Sequence, residues 1–169
     1  MTRLPKGVER EMEFIQSDRI DGVRIRMMKR FEDERGWLSE LYRRDEWDHQ
    51  VALCYVSSTH PGVARGPHEH VYQADFFAFL GPGVFRVYLW DTRKESPTYL
   101  HRIRIEAGDN NPHAVYVPPR VVHAYKNISK EKGLVINLPD RLYRGVGKSE
   151  GVDEMRYENM LSGNVFVLD

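Results

Sequence analysis

Apolar and polar residues alternate along much of the chain, and this period of two is typical of half-buried β-strands. In residues 23–27 apolar side chains alternate with arginines, and residues 98–107 show the same pattern. Residues 50–59, QVALCYVSST, contain the apolar run VALCYV and predict a continuous buried strand. Two further apolar runs lie in residues 75–91 and are hinged at the Gly-Pro-Gly of residues 81–83, which predicts a hairpin.

Strand patterns bounded by Gly and Pro recur about every 8–12 residues, and no long helical pattern separates them. The predicted fold class is therefore all-β, a sandwich or barrel of jelly-roll type. Residues 1–19 are charged and weakly periodic, which indicates an N-terminal arm, and residues 20–169 are expected to form a single domain. Near the C-terminus, residues 148–161 predict a short helical segment and residues 164–169, NVFVLD, a last edge strand.

The composition argues against several classes of partner. The 169 residues include 25 basic and 25 acidic side chains, so no generic affinity for nucleic acid or a membrane surface is expected. An anionic ligand must therefore be bound by locally placed arginines. The apolar runs are too short to span a membrane and the N-terminus lacks a signal-peptide pattern, which predicts a cytoplasmic protein. The single cysteine, Cys54, cannot form an internal disulfide, and its apolar neighbours predict a small core residue.

The residues best suited to catalysis or metal binding are concentrated in residues 61–81. His68 and His70 are two positions apart, so a strand would place both on one face, about 6.6 Å apart along the backbone. Asp75 follows five positions after the second histidine. This spacing resembles the first motif of the cupin superfamily, whose ligands are two histidines and a carboxylate, usually Glu.

Residues 118–127 resemble the second cupin motif, with His123 as its histidine and Arg120 in place of the usual glycine. The resemblance implies that residues 20–169 form a cupin domain, a double-stranded β-helix or jelly-roll barrel. The candidate metal ligands are His68, His70, Asp75 and His123. Three imidazoles and one carboxylate suit a divalent transition metal, namely Fe, Mn, Co, Ni or Zn. Two other interpretations remain open: a histidine-based catalytic site without metal, and side chains with a structural role alone.

Four separated segments between residues 20 and 145 also resemble, in the right order, the dTDP-4-dehydrorhamnose 3,5-epimerase family. They are FEDERGWLSELYR (31–43), RGPH (65–68), LWDTRKESPTY (89–99) and VPPRVVHAY (117–125). Members of this family are dimeric cupins that act on a nucleotide-linked 4-keto sugar, normally without a metal. The resemblance therefore implies a homodimeric isomerase that needs no cofactor and serves cell-surface polysaccharide biosynthesis.

The family resemblance implies roles for individual residues. Arg35, Glu40 and Arg65 would line the nucleotide or phosphate site, where guanidinium groups bind pyrophosphate oxygens in pairs. His68 would be the general base and His123 would lie in the sugar pocket. Such a base removes a proton from C3 or C5, next to the ketone, and an opposed acid returns a proton on the other face.

Three positions depart from the family pattern or match it loosely. Asp75 replaces a lysine on the next inward strand. Of two family tyrosines spaced six apart, Tyr143 matches the second and would be the opposed acid, whereas Asn137 occupies the first position. Asp153 is the candidate for the aspartate that pairs with the family histidine. Replacing the lysine by a carboxylate while adding His70 would exchange metal-free for metal-dependent electrostatics, because a divalent ion polarises an adjacent carbonyl.

Three functions follow from these patterns. The first is a nucleotide-sugar epimerase. The second is a metal-dependent small-molecule cupin, an isomerase or dioxygenase, that uses the four candidate ligands. The third is a sugar-binding cupin without catalytic activity.

Overall fold

The computed structural model describes residues 12–159 and 165–169, and nearly all of their regular structure is β-strand. The strands are β1 (Ile15–Gln16), β2 (Arg24–Met27), β3 (Phe31–Asp33), β4 (Gly36–Leu38), β5 (Tyr55–Thr59), β6 (Ala64–Glu69), β7 (Asp75–Phe79), β8 (Val84–Asp91), β9 (His101–Gly108), β10 (His113–Val117), β11 (Val121–Asn127), β12 (Gly133–Asn137) and β13 (Met155–Arg156). In this described part the one helical element is a 3-10 turn at Val146–Lys148.

The strands form two main sheets and a separate hairpin. The six-stranded sheet has the order β1-β9-β8-β11-β6-β13, and the five-stranded sheet has the order β2-β10-β7-β12-β5. Strands β3 and β4 pair with each other as a two-stranded hairpin. Because the chain repeatedly crosses from one main sheet to the other, the two sheets together form a jelly roll. The prediction of an all-β jelly-roll fold is confirmed.

The main core lies between the two sheets, where inward-facing side chains of both sheets meet. Strand β7 is buried along its whole length because both of its faces are covered. On the inner face Phe77 and Phe79 contact Tyr125, with ring centroids 5.7 and 5.6 Å away. On the outer face Phe76 packs edge-on against Trp47 at 4.8 Å. Strand alternation thus sends neighbouring side chains of β7 into two separate clusters.

Residues near both ends of the described chain cover the outer face of the six-stranded sheet. Trp90 of β8 contacts Phe14 and Phe166, with ring centroids 6.5 and 5.3 Å away. The carboxylate of Asp169 binds Arg102 and Arg104 of β9. The predicted edge strand at residues 164–169 is therefore wrong for residues 165–169, which pack over this face without forming a strand, and residue 164 lies outside the described residues.

The remaining predictions about the chain ends have mixed outcomes. The predicted N-terminal arm lies outside the described residues up to residue 11, and Ile15–Gln16 pairs in parallel with β9. The predicted helical segment at residues 148–161 does not form in its described residues 149–159, which contain β13 instead, and the 3-10 turn at Val146–Lys148 overlaps it only at residue 148. Within residues 12–159 and 165–169, no helix is both long and apolar enough to cross a membrane.

Two predictions from apolar runs are wrong. Strand β5 begins only at Tyr55 and forms an edge of its sheet, so Cys54 is exposed rather than in the core. Apolar content alone does not distinguish a central strand from an edge strand. The runs on either side of residues 81–83 do not form a hairpin, because β7 pairs with β10 and β12 whereas β8 pairs with β9 and β11. This turn instead carries the chain from one sheet to the other.

Candidate active site

A cavity of about 1060 Å³ opens beside the strands that carry the predicted site. It is lined by His68, His70 and Asp75, and by Arg65 and Tyr143 of the predicted substrate-binding and catalytic residues. Much of the remaining wall comes from residues 139–158, which follow the last core strand. Because pockets of about 300–1,000 Å³ hold drug-sized ligands, this cavity has room for a nucleotide-linked sugar.

Three imidazoles converge at one side of the cavity. His68 lies on β6 directly opposite His123 of β11, and their ring centroids are 4.4 Å apart. His70 follows the end of β6, and its ring centroid lies 5.8 Å from that of His68 and 6.0 Å from that of His123. Each ring offers a nitrogen within 4.8 Å of the others. His68 and His70 therefore lie on the same face of the chain, as strand alternation predicts.

The carboxylate of Asp75 completes this cluster. Asp75 opens β7 and is 1% exposed, and its Oδ2 lies 3.3 Å from Nε2 of His70 and 3.4 Å from Nε2 of His123. Its other oxygen, Oδ1, accepts hydrogen bonds from Asn137 at 2.8 Å and Gln73 at 3.0 Å. The aspartate therefore reaches the imidazoles although it is one methylene shorter than the glutamate usual in the motif.

Burial and neighbouring charges shift the pKa values of the cluster. Burial lowers the pKa of His68 to about 2, and the charges of His123 and His70 act in the same direction. Burial also acts to lower the pKa of His70, but its contact with Asp75 and the carboxylate charge outweigh burial and raise that pKa to about 9. Burial acts to raise the pKa of Asp75, but contacts with His123 and His70 hold it well below its usual range. Without a metal, His68 is therefore neutral at pH 7 and His70 forms an ion pair with Asp75.

Asp153 holds the connection between β6 and β7 in place. Its carboxylate accepts hydrogen bonds from the backbone N–H groups of Val71, Tyr72 and Gln73, each at 2.9 Å. Its backbone carbonyl accepts a hydrogen bond from Nδ1 of His70. The sequence-based hypothesis that Asp153 pairs with His68 is therefore wrong, because the backbone of this connection occupies its carboxylate.

Glu154 is the carboxylate that faces His68, and the sequence-based choice missed it. Its Oε1 lies 3.9 Å from Nδ1 of His68, and its Oε2 accepts a hydrogen bond from Arg156 at 2.6 Å. Strand β13 pairs with β6 so that Arg156 stands opposite His68, which brings the preceding residues along the edge of the site. The sequence feature that could have identified it is the Asp-Glu pair at 153–154, in which Glu154 directly follows the predicted Asp153.

Tyr55 is a second residue that the sequence did not single out. It stands directly opposite Asn137 in the pairing of β5 with β12, and Asn137 donates one hydrogen bond to the Tyr55 hydroxyl at 3.0 Å and another to Asp75. Tyr55 lines the cavity. A phenol from the neighbouring strand therefore lies beside the position where the family pattern has a tyrosine and this chain has Asn137.

The predicted nucleotide-binding residues are split between two places. Arg65 lines the cavity and donates hydrogen bonds to Thr59 and to the carbonyl of Ser58, both at 3.0 Å. Arg35 lies in the β3–β4 hairpin, where its side chain is 83% exposed and pairs with Asp33. Glu40 borders a different pocket of about 140 Å³. A single chain therefore does not bring Arg35 and Glu40 to the cavity, and their roles stay predictions.

Further basic and aromatic groups line the same cavity. Arg141, Arg144 and Arg156 all come from the segment after β12. Tyr72 is 63% exposed, and the guanidinium of Arg141 lies 5.6 Å from the centre of its ring. Guanidinium groups and exposed rings are suited to anionic phosphates and to stacking on flat bases. These residues carry no recognisable motif, so only the fold reveals them.

Comparisons with known proteins agree with this geometry. The family model described as dTDP-4-dehydrorhamnose 3,5-epimerase matches residues 17–150. The "Probable low-salt glycan biosynthesis epimerase Agl13" of Haloferax volcanii is 34% identical over 127 residues, which cover 73% of this chain and 81% of that protein. The spore coat polysaccharide biosynthesis protein SpsL of Bacillus subtilis is 33% identical over 126 residues, which cover 73% and 82%.

Solved structures show the same fold. A dTDP sugar isomerase from Desulfovibrio desulfuricans G20 superposes with a TM-score of 0.72 at 22% identity, over 81% of this chain and 84% of that one. NovW, a 4-keto-6-deoxy sugar epimerase from Streptomyces spheroides, superposes with a TM-score of 0.66 at 25% identity, over 73% and 66%. The fold, the order of the motifs and the match across residues 17–150 lead to one conclusion. The chain belongs to the dTDP-4-dehydrorhamnose 3,5-epimerase family.

Proposed function

We propose that the protein is an isomerase that acts on a nucleotide-linked 4-keto sugar by proton transfer next to the ketone, in polysaccharide biosynthesis. The observation that carries this proposal is the position of His68. The neutral imidazole borders a cavity large enough for such a substrate, and the Glu154 carboxylate lies 3.9 Å from its Nδ1. The names of the two relatives, one an epimerase of glycan biosynthesis and one a polysaccharide biosynthesis protein, support the reaction class and its setting.

The proposed reaction follows from the two sides of the His68 ring. Because Nδ1 faces Glu154, Nε2 is the nitrogen that accepts the proton from the carbon next to the ketone. The negative charge of Glu154, 3.9 Å from Nδ1, then stabilises the imidazolium that forms. Tyr143, 56% exposed in the same cavity, is the proposed acid that returns a proton on the opposite face.

The nucleotide is proposed to bind through the arginines of the cavity wall. Arg65, Arg144 and Arg156 place guanidinium groups in this wall, where acidic residues also lie. A diphosphate matches guanidinium groups because two N–H donors bind two phosphate oxygens at once. Tyr72 offers an exposed ring for a base.

The test of this function is hydrogen exchange in deuterated water. The protein is incubated with thymidine diphosphate 4-keto-6-deoxyglucose, and incorporation of deuterium at C3 and C5 is followed by NMR and mass spectrometry. We expect incorporation by the wild type, a loss of about 100-fold or more in His68→Gln and a smaller loss in Glu154→Gln. His113→Gln changes a partly buried histidine outside the cavity, and this matched control should keep the full rate. No incorporation with thymidine, uridine, guanosine or cytidine diphosphate sugars, or a full rate in His68→Gln, would refute the proposal.

We further propose that the protein is a cytoplasmic homodimer. Four apolar side chains around the β3–β4 hairpin are exposed: Met27 (66%), Phe31 (57%), Trp37 (48%) and Leu38 (63%). Exposed apolar groups that lie together favour a protein partner, and a second copy would also offer a neighbouring cavity to Arg35. Light scattering should give a dimer for the wild type and for Val167→Glu, which adds a charge at another exposed apolar position. Leu38→Glu should be monomeric, and a monomeric wild type would contradict this proposal.

A further inference from the structure

The rings of His70 and His123 are oriented in the same unusual way. Nδ1 of His70 donates a hydrogen bond to the carbonyl of Asp153, and Nδ1 of His123 donates one to the carbonyl of Val121 at 3.0 Å. A carbonyl can only accept, so each Nδ1 carries a proton. Each Nε2 faces Oδ2 of Asp75, and that of His70 presents a lone pair there once it gives up the proton of its ion pair with Asp75. This is the orientation of metal-binding histidines, whose second nitrogen is commonly fixed by a backbone carbonyl.

The distances match the edges of a coordination polyhedron. Metal bonds to imidazole nitrogen and carboxylate oxygen are about 2.0–2.2 Å long, so neighbouring ligand atoms lie about 3.0–3.5 Å apart. Oδ2 of Asp75 lies 3.3 and 3.4 Å from the two Nε2 atoms. These two edges already have the length that a shared ion requires, and the ligand nitrogens of His70 and His123 lie within 4.8 Å of each other.

The polar atoms of this group are not fully satisfied by the protein. His123 is 3% exposed, and within the described residues its Nε2 has no hydrogen-bond partner, since Asp75 at 3.4 Å lies too far for a well-formed bond. Asp75 is 1% exposed and, in the same part of the chain, its carboxylate pairs with His70 and His123 and with no Lys or Arg. A buried acceptor and a buried carboxylate without a fixed cation are both costly.

The residues behind Asp75 hold it for this purpose. Asn137 donates a hydrogen bond to Oδ1 at 2.8 Å, which leaves Oδ2 free to face the two imidazoles. Asn137 is itself held by two hydrogen bonds. Its Nδ2 donates to the hydroxyl of Tyr55, and its Oδ1 accepts from the backbone N–H of Phe76. Metal-binding carboxylates are typically oriented by hydrogen bonds of this kind.

We propose that Nε2 of His70, Nε2 of His123 and Oδ2 of Asp75 bind one divalent transition metal, and that His68 borders this site without being a ligand. The neutral ring of His68 turns Nδ1 towards Glu154 at 3.9 Å, and among the described residues the ring nitrogens within 4 Å of the Asp75 carboxylate belong to His70 and His123. Two histidines and one carboxylate suit Fe, Mn, Co or Zn and leave coordination positions open. When bound, such an ion supplies Lewis-acid polarisation of a carbonyl, the role of the lysine that Asp75 replaces.

The test uses Co²⁺ as the probe, with full-length protein from which any purification tag has been removed. The protein is treated with a chelator and titrated with Co²⁺, while the visible d–d absorption and the melting temperature are recorded. We expect about one Co²⁺ per chain and a rise in melting temperature. His113→Gln is the matched control for a histidine outside the site, and it should bind like the wild type.

Variants separate the ligands from their neighbours. His70→Gln and His123→Gln should each weaken Co²⁺ binding by about 100-fold or more, and Asn137→Ala by about 10–100-fold. His68→Gln should bind Co²⁺ as the wild type does. Each variant is melted without metal, so a loss of binding counts only in a folded protein, and two ligand variants guard against the failure of one. Three results would overturn the proposal: no Co²⁺ binding by the wild type, Co²⁺ binding by both folded ligand variants as tight as that of the wild type, or loss of Co²⁺ binding in His68→Gln.

The proposed metal site and the proposed isomerase activity can fail independently. Co²⁺ binding is measured without a sugar, and deuterium incorporation is measured on the purified protein whatever metal it contains. Binding without incorporation would refute the activity alone. Incorporation by protein that binds no Co²⁺ would refute the metal site alone and would leave a protonated His70 as the partner of Asp75.

Discussion

The replacement of Asp153 by alanine tests how the C-terminal segment organises the site. The Asp153 carboxylate accepts hydrogen bonds from three successive backbone N–H groups, each at 2.9 Å. A hydrogen bond to a charged group contributes about 1.5–3 kcal/mol. The three bonds share one carboxylate and the connection at residues 71–73 is partly exposed, so their energies do not add fully. We therefore expect Asp153→Ala to lower the free energy of unfolding by about 2–4 kcal/mol.

Urea denaturation at pH 7, followed by circular dichroism, measures this change. Asp153→Asn keeps one acceptor oxygen but loses the charge, so it should fall between wild type and Asp153→Ala. Glu158→Ala removes an exposed acidic side chain from the same segment and should change the free energy of unfolding by less than about 0.5 kcal/mol. If Asp153→Ala is as stable as Glu158→Ala, the three hydrogen bonds do not hold this connection. A weaker affinity of Asp153→Ala for Co²⁺ would show that the loss reaches His70.

Two further predictions concern residues that are not themselves proposed ligands. Burial acts to raise the pKa of Asp91, but hydrogen bonds from Arg93, Ser96 and Thr98 outweigh burial and lower that pKa. The ionised carboxylate therefore stabilises the fold at pH values above the unfolded pKa of about 4. This stabilisation is lost as the pH falls through the lower pKa of the folded state. Asp91→Asn should therefore lose about 2–4 kcal/mol at pH 7 in urea denaturation and less at pH 3, and an equal loss at both pH values would contradict this. A Cβ at Gly66, where φ is +82°, would lie 2.5 Å from the His123 carbonyl oxygen. Gly62 has a similar φ of +73°, but a Cβ there would meet no atom within 4 Å. Thermal melting should therefore show Gly66→Ala as clearly less stable than Gly62→Ala.

The local parts of the site were accessible from the sequence because they depend on strand alternation. The period of two places His68 and His70 on one side of the chain, and the spacing of the second motif identifies His123 as their partner. The same alternation explains an error. Asp153 and Glu154 are adjacent in an extended segment, so one carboxylate turns to the backbone and the other to His68, and a shift of one position exchanges them.

Other features depend on which strands become neighbours, and an apolar pattern does not contain that information. Residues 50–59 look like a core strand, but β5 is an edge strand and leaves Cys54 exposed. Tyr55 reaches the site only because β5 pairs with β12, which sets it opposite Asn137. The arginines of residues 141–156 line the cavity because that segment folds back over it.

The hydrogen bond between Asn137 and Asp75 has an evolutionary consequence. The sequence resemblance predicts that these two residues stand where the family pattern has a tyrosine and a lysine, and here they hold each other at 2.8 Å. A lysine at position 75 would place an ammonium against His70 and His123, whereas a tyrosine at position 137 would remove the amide donor that orients Asp75. Either single exchange passes through a poorly matched intermediate. Ancestral lineages should therefore have acquired the histidine, aspartate and asparagine together, and relatives that carry only part of the set should be rare.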